Sequence, residues 1–197
     1  MHYSLIQDMC GLRSTQLIAD DLESVPDCGG VYMVFGDTTE LLAGTGYADM
    51  EVREPFMIGG TELLYIGCSN DLRARIACHV KDDSTASNFR MSMGCLLRDQ
   101  LDLEVFTHPL RATFHFGQGE ARLTRWLCMN TAIAIWPCTQ PRELERALIK
   151  ALPAPININD RRRHPYARVL MEMRGAASDQ AGRAKRKRQW KRPEPTE

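Results

Sequence analysis

The sequence predicts a mixed α/β fold in a single domain. Three observations carry this. Two short β-branched and aromatic runs, Gly30–Phe35 and Leu63–Cys68, are set off by chain breakers and read as strands. Apolar residues at helical spacing, Leu72/Ile76/Val80 and Leu144/Leu148/Leu152, read as the buried faces of helices. A chain of 197 residues can bury one sizeable core and does not call for a second full domain.

The elements follow in order. Residues 1–25 read as a partly helical introduction, with Leu17, Ile18 and Leu22 near helical spacing. Val25-Pro26-Asp27-Cys28-Gly29-Gly30 is a turn that feeds the first strand, which Gly36-Asp37 ends. Residues 37–60 form a connector with glycines at 44, 46, 59 and 60, and Leu63–Cys68 is the second strand. Ser69-Asn70-Asp71 supplies an N-cap for the next helix. Asp82–Ser87 is polar and turn-like, and Asn88–Leu101 reads as a helix with Phe89, Met93, Leu96 and Leu97 on one side. Arg111–Gly117 alternates, Phe114 and Phe116 against Thr113 and His115, which predicts a strand. Glu120–Met129 reads as a helix and Thr131–Trp136 as a strand ended by Pro137. Thr139-Gln140-Pro141 starts a helix with proline in its first turn. Leu144, Leu148, Ala151 and Leu152 are its stripe, and Pro153 and Pro155 stop it. Arg161–Pro165 reads as a basic turn, and a short helix over 166–174 closes the domain. From about Ala176 the residues are small or charged and are expected to lack fixed structure.

Composition narrows the function classes. No apolar run approaches the ~20 residues that span a bilayer, and Met1–Arg13 lacks the basic-then-apolar order of a secretory signal. The seven cysteines include no CxxC pair, which argues against a structural zinc site. Scattered in a chain of this size, they fit a reducing compartment and read mostly as small core residues. A cytoplasmic location is expected, nucleoid-associated in a bacterium or nuclear in a eukaryote. The zero net charge hides an asymmetry: residues 1–160 hold 13 Lys and Arg against 21 Asp and Glu, and residues 161–197 hold 12 against 4. The basic end reads as an electrostatic footprint for phosphate backbones or as a solvated tail.

The most informative strings are Gly30-Val31-Tyr32 and Tyr65-Ile66-Gly67, followed far downstream by Glu145-Arg146-Ala147-Leu148-Ile149-Lys150 and Pro155-Ile156-Asn157. In this order they resemble the GIY-YIG nuclease superfamily, whose members cut phosphodiester bonds in nucleic acids. The resemblance spans roughly residues 25 to 160. It implies an α+β fold with a small central, mostly antiparallel β-sheet flanked by helices. It divides the chain into an N-terminal extension (1–24), a nuclease domain (25–175) with a long insertion at 37–62, and a basic tail (176–197).

The resemblance also assigns roles. Phosphodiester hydrolysis needs an activated water and positive charge beside the developing phosphorane. Tyr32 is implied as the base, with nearby positive charge expected to lower its pKa, and Tyr65 as the partner that orients water or phosphate. Arg75, ten residues after Tyr65, matches the family's arginine and would grip the scissile phosphate. His79, one turn further, would be a second phosphate or proton-transfer group, whereas Arg73 points elsewhere. Glu145 matches the metal-binding glutamate, implying a single Mg²⁺ or Mn²⁺ held by one carboxylate, with Glu143 on a different helix face. Asn157 would hydrogen-bond within the site, and Asn159 is a close alternative.

Two departures stand out. Val31 replaces the family's isoleucine, and Tyr32 and Tyr65 are 33 residues apart, which leaves the insertion as an elaborated hairpin or a substrate-contacting loop. No appended DNA-binding module is recognisable, a pattern closer to repair, restriction-like or structure-selective enzymes than to homing enzymes. The expected activity is metal-dependent endonucleolytic hydrolysis of DNA rather than RNA, with no membrane partner. A catalytically silent nucleic-acid-binding protein and a protein-interaction domain are the alternatives. The oligomeric state is left open.

Overall fold

Gly30–Gly36 (β2) is buried along its whole length, because both faces of this strand are covered. The structure is a computed structural model that describes residues 11–43, 45, 47, 54–81, 83–108, 113–158 and 165–182. Asn159, Arg161–His164 and the expected tail beyond 182 lie outside the described residues, as do parts of the connector.

Among the described residues a five-stranded antiparallel sheet runs in the order β1 (Leu12–Ser14), β7 (Thr131–Pro137), β2, β4 (Thr61–Ser69), β3 (Met57–Ile58). The helices are α1 (Thr15–Asp20), α2 (Thr38–Leu41), α3 (Leu72–Val80), α4 (Asn88–Leu96), α5 (Gly119–Asn130), α6 (Pro141–Ala151) and α7 (Pro165–Gln180). Side chains alternate across β2, as strand geometry requires. Val31, Met33 and Phe35 join Leu63, Ile66, Ala134 and, from α6, Leu148 and Ile149. Tyr32 and Val34 join Ile18, Leu72, Ile76, Phe89, Leu123 and Leu127 from the helices on the other face. Fully burying each such large apolar side chain contributes about 1.5–3 kcal/mol. The two-sided core explains why GVYMVF is apolar without a polar alternate.

The register is shifted once. Val34 pairs with Tyr65 but Phe35 pairs with Leu63, so Leu64 is an extra residue in β4. This bulge sends Leu64 and Tyr65 to the Tyr32 face while Leu63 and Ile66 point the other way. The connector ends as a hairpin: β3 turns into β4 through Gly59 and Gly60, at φ +58° and +81°, a conformation glycine adopts without the Cβ clash.

Several expectations need correction. Strand β1 was not anticipated; it lies on the sheet edge beside β7, with Leu12 opposite Ala134. The helix expected over 88–101 ends at Leu96, and turns follow. Only Phe114–His115 (β6) of the expected 111–117 strand is extended among the described residues; it pairs with Phe106–Thr107 (β5) in a separate ribbon. On α6 the stripe passes through Ile149 rather than Ala151, which is exposed. The closing helix α7 runs to Gln180, past the expected 174. Of the described cysteines only Cys95 and Cys128 are buried; Cys28 is exposed and the other three are half-buried. No helix among the described residues is long and apolar enough to cross a membrane.

Candidate active site

The site lies where β4 outruns its neighbour β3. Beyond Thr61–Glu62 the outer edge of β4 has no strand beside it, and the segment after α6 takes its place. Ile156 N–H donates to Leu64 O at 3.0 Å. Asn157, buried, accepts from Ile66 N–H at 2.8 Å and donates to Ile66 O at 2.7 Å. Its amide thus imitates a strand residue between Tyr65 and Gly67. Asn157 holds backbone, not substrate.

Tyr32 lies opposite Gly67 in the ladder, and its ring crosses over the glycine. A Cβ on Gly67 would stand 2.3 Å from the Tyr32 hydroxyl, so the glycine of the second motif makes room for the tyrosine of the first. Gly30 plays a similar part: a Cβ there would meet Trp136 O at 2.5 Å and Leu72 Cδ1 at 2.6 Å.

Helix α3 brings two side chains to the Tyr32 oxygen. Asp71 caps it, accepting from Ala74 N–H at 2.9 Å, and Leu72 and Ile76 anchor it in the core. One turn apart on the edge of that stripe, Arg75 Nε donates to Tyr32 Oη at 3.3 Å and His79 Nε2 lies 2.7 Å from the same oxygen. Arg75 Nη1 also donates to Ala86 O at 3.0 Å. The other His79 nitrogen, Nδ1, lies 2.8 Å from Ser87 Oγ. Arg73 points away and pairs with Glu23 at 2.8 Å. Tyr65 is half-buried, its ring 6.2 Å from Tyr32 and 5.2 Å from Phe89.

Glu145 reaches the site from α6, on the opposite side of β4. The Cys68 thiol donates to Glu145 Oε2 at 3.1 Å. Glu143 is exposed in the first turn and lies outside the site. Tyr32, Tyr65, Cys68, Ser69, Asn70, Arg75, Arg142 and Glu145 together line one open cleft of about 450 Å³. The structure therefore gathers Tyr32, Tyr65, Arg75 and Glu145 into one cleft, sets His79 behind Tyr32, and places Asn157 as a backbone clamp beneath it. The buried Tyr32 forms the cleft's floor rather than its exposed wall.

Electrostatics correct one expectation. Burial pushes the Tyr32 phenol well above its ordinary value, helped by Tyr65, and the opposing pull of Arg75 does not offset it. Tyr65 is raised by burial as well, although Arg75 opposes this. Burial, then the charges of Arg75 and Arg90, hold His79 well below its ordinary value, so the imidazole is neutral near pH 7. Burial works against the Arg75 charge, but Tyr32 beside it raises the guanidinium pKa overall. Burial first, then Glu145, pushes the Cys68 thiol to about 12, so it stays a hydrogen-bond donor.

Sequence reasoning missed Cys68, Ser87 and Arg142. Arg142 had a readable signal, since it stands three residues before Glu145 on a helix. Cys68 and Ser87 had none, because their roles depend on strand register and on how α4 packs.

A metal fits only one way. Among the described residues no three His, Cys, Asp or Glu side chains converge to hold an ion, and Glu145 is the only carboxylate lining the cleft. One carboxylate facing an open polar cleft suits a hard divalent ion that keeps most of its ligands as water and phosphate oxygen.

Comparison with protein-family models matches residues 30–176 to the GIY-YIG catalytic domain. The same comparison with curated proteins and with solved structures gives no match.

Proposed function

The chain belongs to the GIY-YIG family, the match covering most of its length, and from that premise we propose that it is a metal-dependent endonuclease hydrolysing phosphodiester bonds in DNA. A nuclease family implies a nucleic-acid substrate, and its members generally use a divalent metal. The observation that carries the finer reading is the convergence of Tyr32, Arg75 and Glu145 on one cleft, with His79 hydrogen-bonded to the tyrosine from behind.

The raised phenol pKa disfavours a standing phenolate. A relay avoids it. The Tyr32 O–H donates to neutral His79 Nε2, while His79 Nδ1–H donates to Ser87 Oγ. As water attacks phosphorus, its proton passes to the Tyr32 oxygen and the phenol proton passes to His79. No free phenolate forms, and the ring, neutral at pH 7, takes the proton more readily once Arg75, one of the charges that depress its pKa, has turned to the phosphate.

Arg75 supplies the trigger. Its grip on Tyr32 is long at 3.3 Å. A phosphate in the cleft competes for the guanidinium through two charge-assisted bonds. Arg75 then leaves the phenol oxygen open to water and meets the charge that builds on the phosphorane. Tyr65, half-exposed beside it, orients the water or a phosphate oxygen. Glu145 would hold Mg²⁺ or Mn²⁺, which when bound neutralises phosphate charge and eases departure of the leaving oxygen. Cys68 fixes the rotamer of Glu145.

The test is cleavage of DNA, with RNA of the same sequence alongside, by wild type and Tyr32→Phe in Mg²⁺ or Mn²⁺. The reading expects cutting of DNA and a loss of at least ~100-fold in Tyr32→Phe, the usual scale of general acid–base catalysis. Binding without cutting by wild type would favour the catalytically silent alternative.

A further inference from the structure

We propose that Arg142, with Asn70 at the cleft rim, forms a second phosphate subsite that holds the phosphodiester next to the one being cut. This rests on the nucleic-acid reading above.

Arg142 lies in the first turn of α6, directly after Pro141. A cation there opposes the helix dipole, which favours negative charge at this end, so helix stability does not explain it. Its side chain is exposed, and it makes no ion pair or hydrogen bond among the described residues. It lines the same cleft as Glu145, three residues on, where helical spacing puts both on one face. Arg146 also lies on α6 and is exposed, but it does not line the cleft.

Arg142 and Arg75 stand on different elements, and both act electrostatically on the Cys68 thiol. Both arginines line the cleft with Cys68 and Glu145. Arg75 already uses Nε on Tyr32 and Nη1 on Ala86 O, which suits it to one phosphate. The open cleft, about 450 Å³, places Arg142 and Asn70 on the same lining as Arg75. Asn70, exposed between Ser69 and the Asp71 cap, adds a neutral donor at the rim. The body around this cleft is acidic, with 21 Asp and Glu against 13 Lys and Arg in residues 1–160. An unpaired arginine on such a body marks a place for an anion.

The test separates this subsite from catalysis. Binding of a fluorescent DNA duplex is followed by anisotropy with Ca²⁺ in place of Mg²⁺, across a salt series, for wild type, Arg142→Gln and Arg146→Gln. Arg142→Gln is expected to weaken binding about tenfold and to reduce the salt slope by about 0.9, the value of one phosphate contact. Arg146→Gln should stay within about twofold of wild type, the scale of a charge with no direct partner. A duplex whose phosphates are replaced by neutral methylphosphonates should bring wild type and Arg142→Gln to equal affinity. Equal behaviour of the two arginine variants, or no binding of DNA by wild type, overturns the subsite. Binding with these differences, together with no cutting by wild type in the separate Mg²⁺ or Mn²⁺ cleavage assay, keeps the subsite and removes the nuclease reading. Cutting with an unchanged Arg142→Gln salt slope does the reverse.

Discussion

The Tyr32 ring lies across Gly67 so closely that a methyl group on the glycine would stand 2.3 Å from the phenolic oxygen. The last residue of one motif is thus the seat of the last residue of the other. The pair is set by register, Tyr32 facing Gly67 across adjacent strands.

Gly67→Ala is therefore expected to displace Tyr32 from Arg75 and His79. Overpacking of a closed site costs about 1–3 kcal/mol, which for a domain of this size lowers Tm by roughly 2–12 °C. Activity should fall much further than stability. Thermal melts beside a cleavage assay check both; unchanged cleavage would separate the glycine from the tyrosine's placement.

Stability should fall at both ends of the pH range, for opposite reasons. Burial raises the Tyr32 pKa above its ordinary 10.0, so the folded state keeps a proton that the unfolded chain loses. That stabilisation is full below about pH 10 and is lost as pH rises. Burial lowers the His79 pKa below its ordinary 6.5, so the unfolded chain binds the extra proton. That stabilisation is full above about pH 6.5 and is lost as pH falls. Each slope is at most about 1.4 kcal/mol per pH unit. Urea unfolding from pH 5 to 11 measures them, and His79→Gln should flatten the acid limb. A flat profile between pH 5 and 7 in wild type would contradict the buried neutral histidine.

Cys68→Ala removes the donor to Glu145, whereas Cys68→Ser keeps one. If the thiol positions a metal-holding carboxylate, the alanine variant should need about 10-fold more Mg²⁺ for half-maximal cutting, the low end of what loss of an outer-shell partner costs. The serine variant should lie between alanine and wild type. With its pKa pushed to about 12, the thiol should also react slowly with iodoacetamide at neutral pH despite facing the cleft. Equal Mg²⁺ dependence in all three proteins would remove Cys68 from the site.

Much of this was legible because its signals are local. Asp71 capping α3, Pro141 opening α6 and the apolar run of β2 are each written in a few adjacent residues. What was not legible depends on contacts between distant segments. Strand β1 has three residues and pairs with β7 more than a hundred positions away. The bulge at Leu64 shows only in the register of two strands, and it decides which way Tyr65 points. Nearby positive charge predicts a lowered Tyr32 pKa, but burial, which depends on the whole core, outweighs the pull of Arg75. The resemblance places Asn157 in the site, but only the missing strand beside β4 shows why an amide with both a donor and an acceptor is needed there.

The most direct measurement is nicking of supercoiled plasmid in Mg²⁺ or Mn²⁺ by wild type beside Glu145→Ala, with circular dichroism to show that both are folded. Wild type should convert supercoiled to nicked and linear DNA, and Glu145→Ala, folded, should not. Equal nicking by the two proteins would contradict the account, since the cleft that unites Tyr32, Arg75 and Glu145 would then not be where phosphodiester bonds are cut.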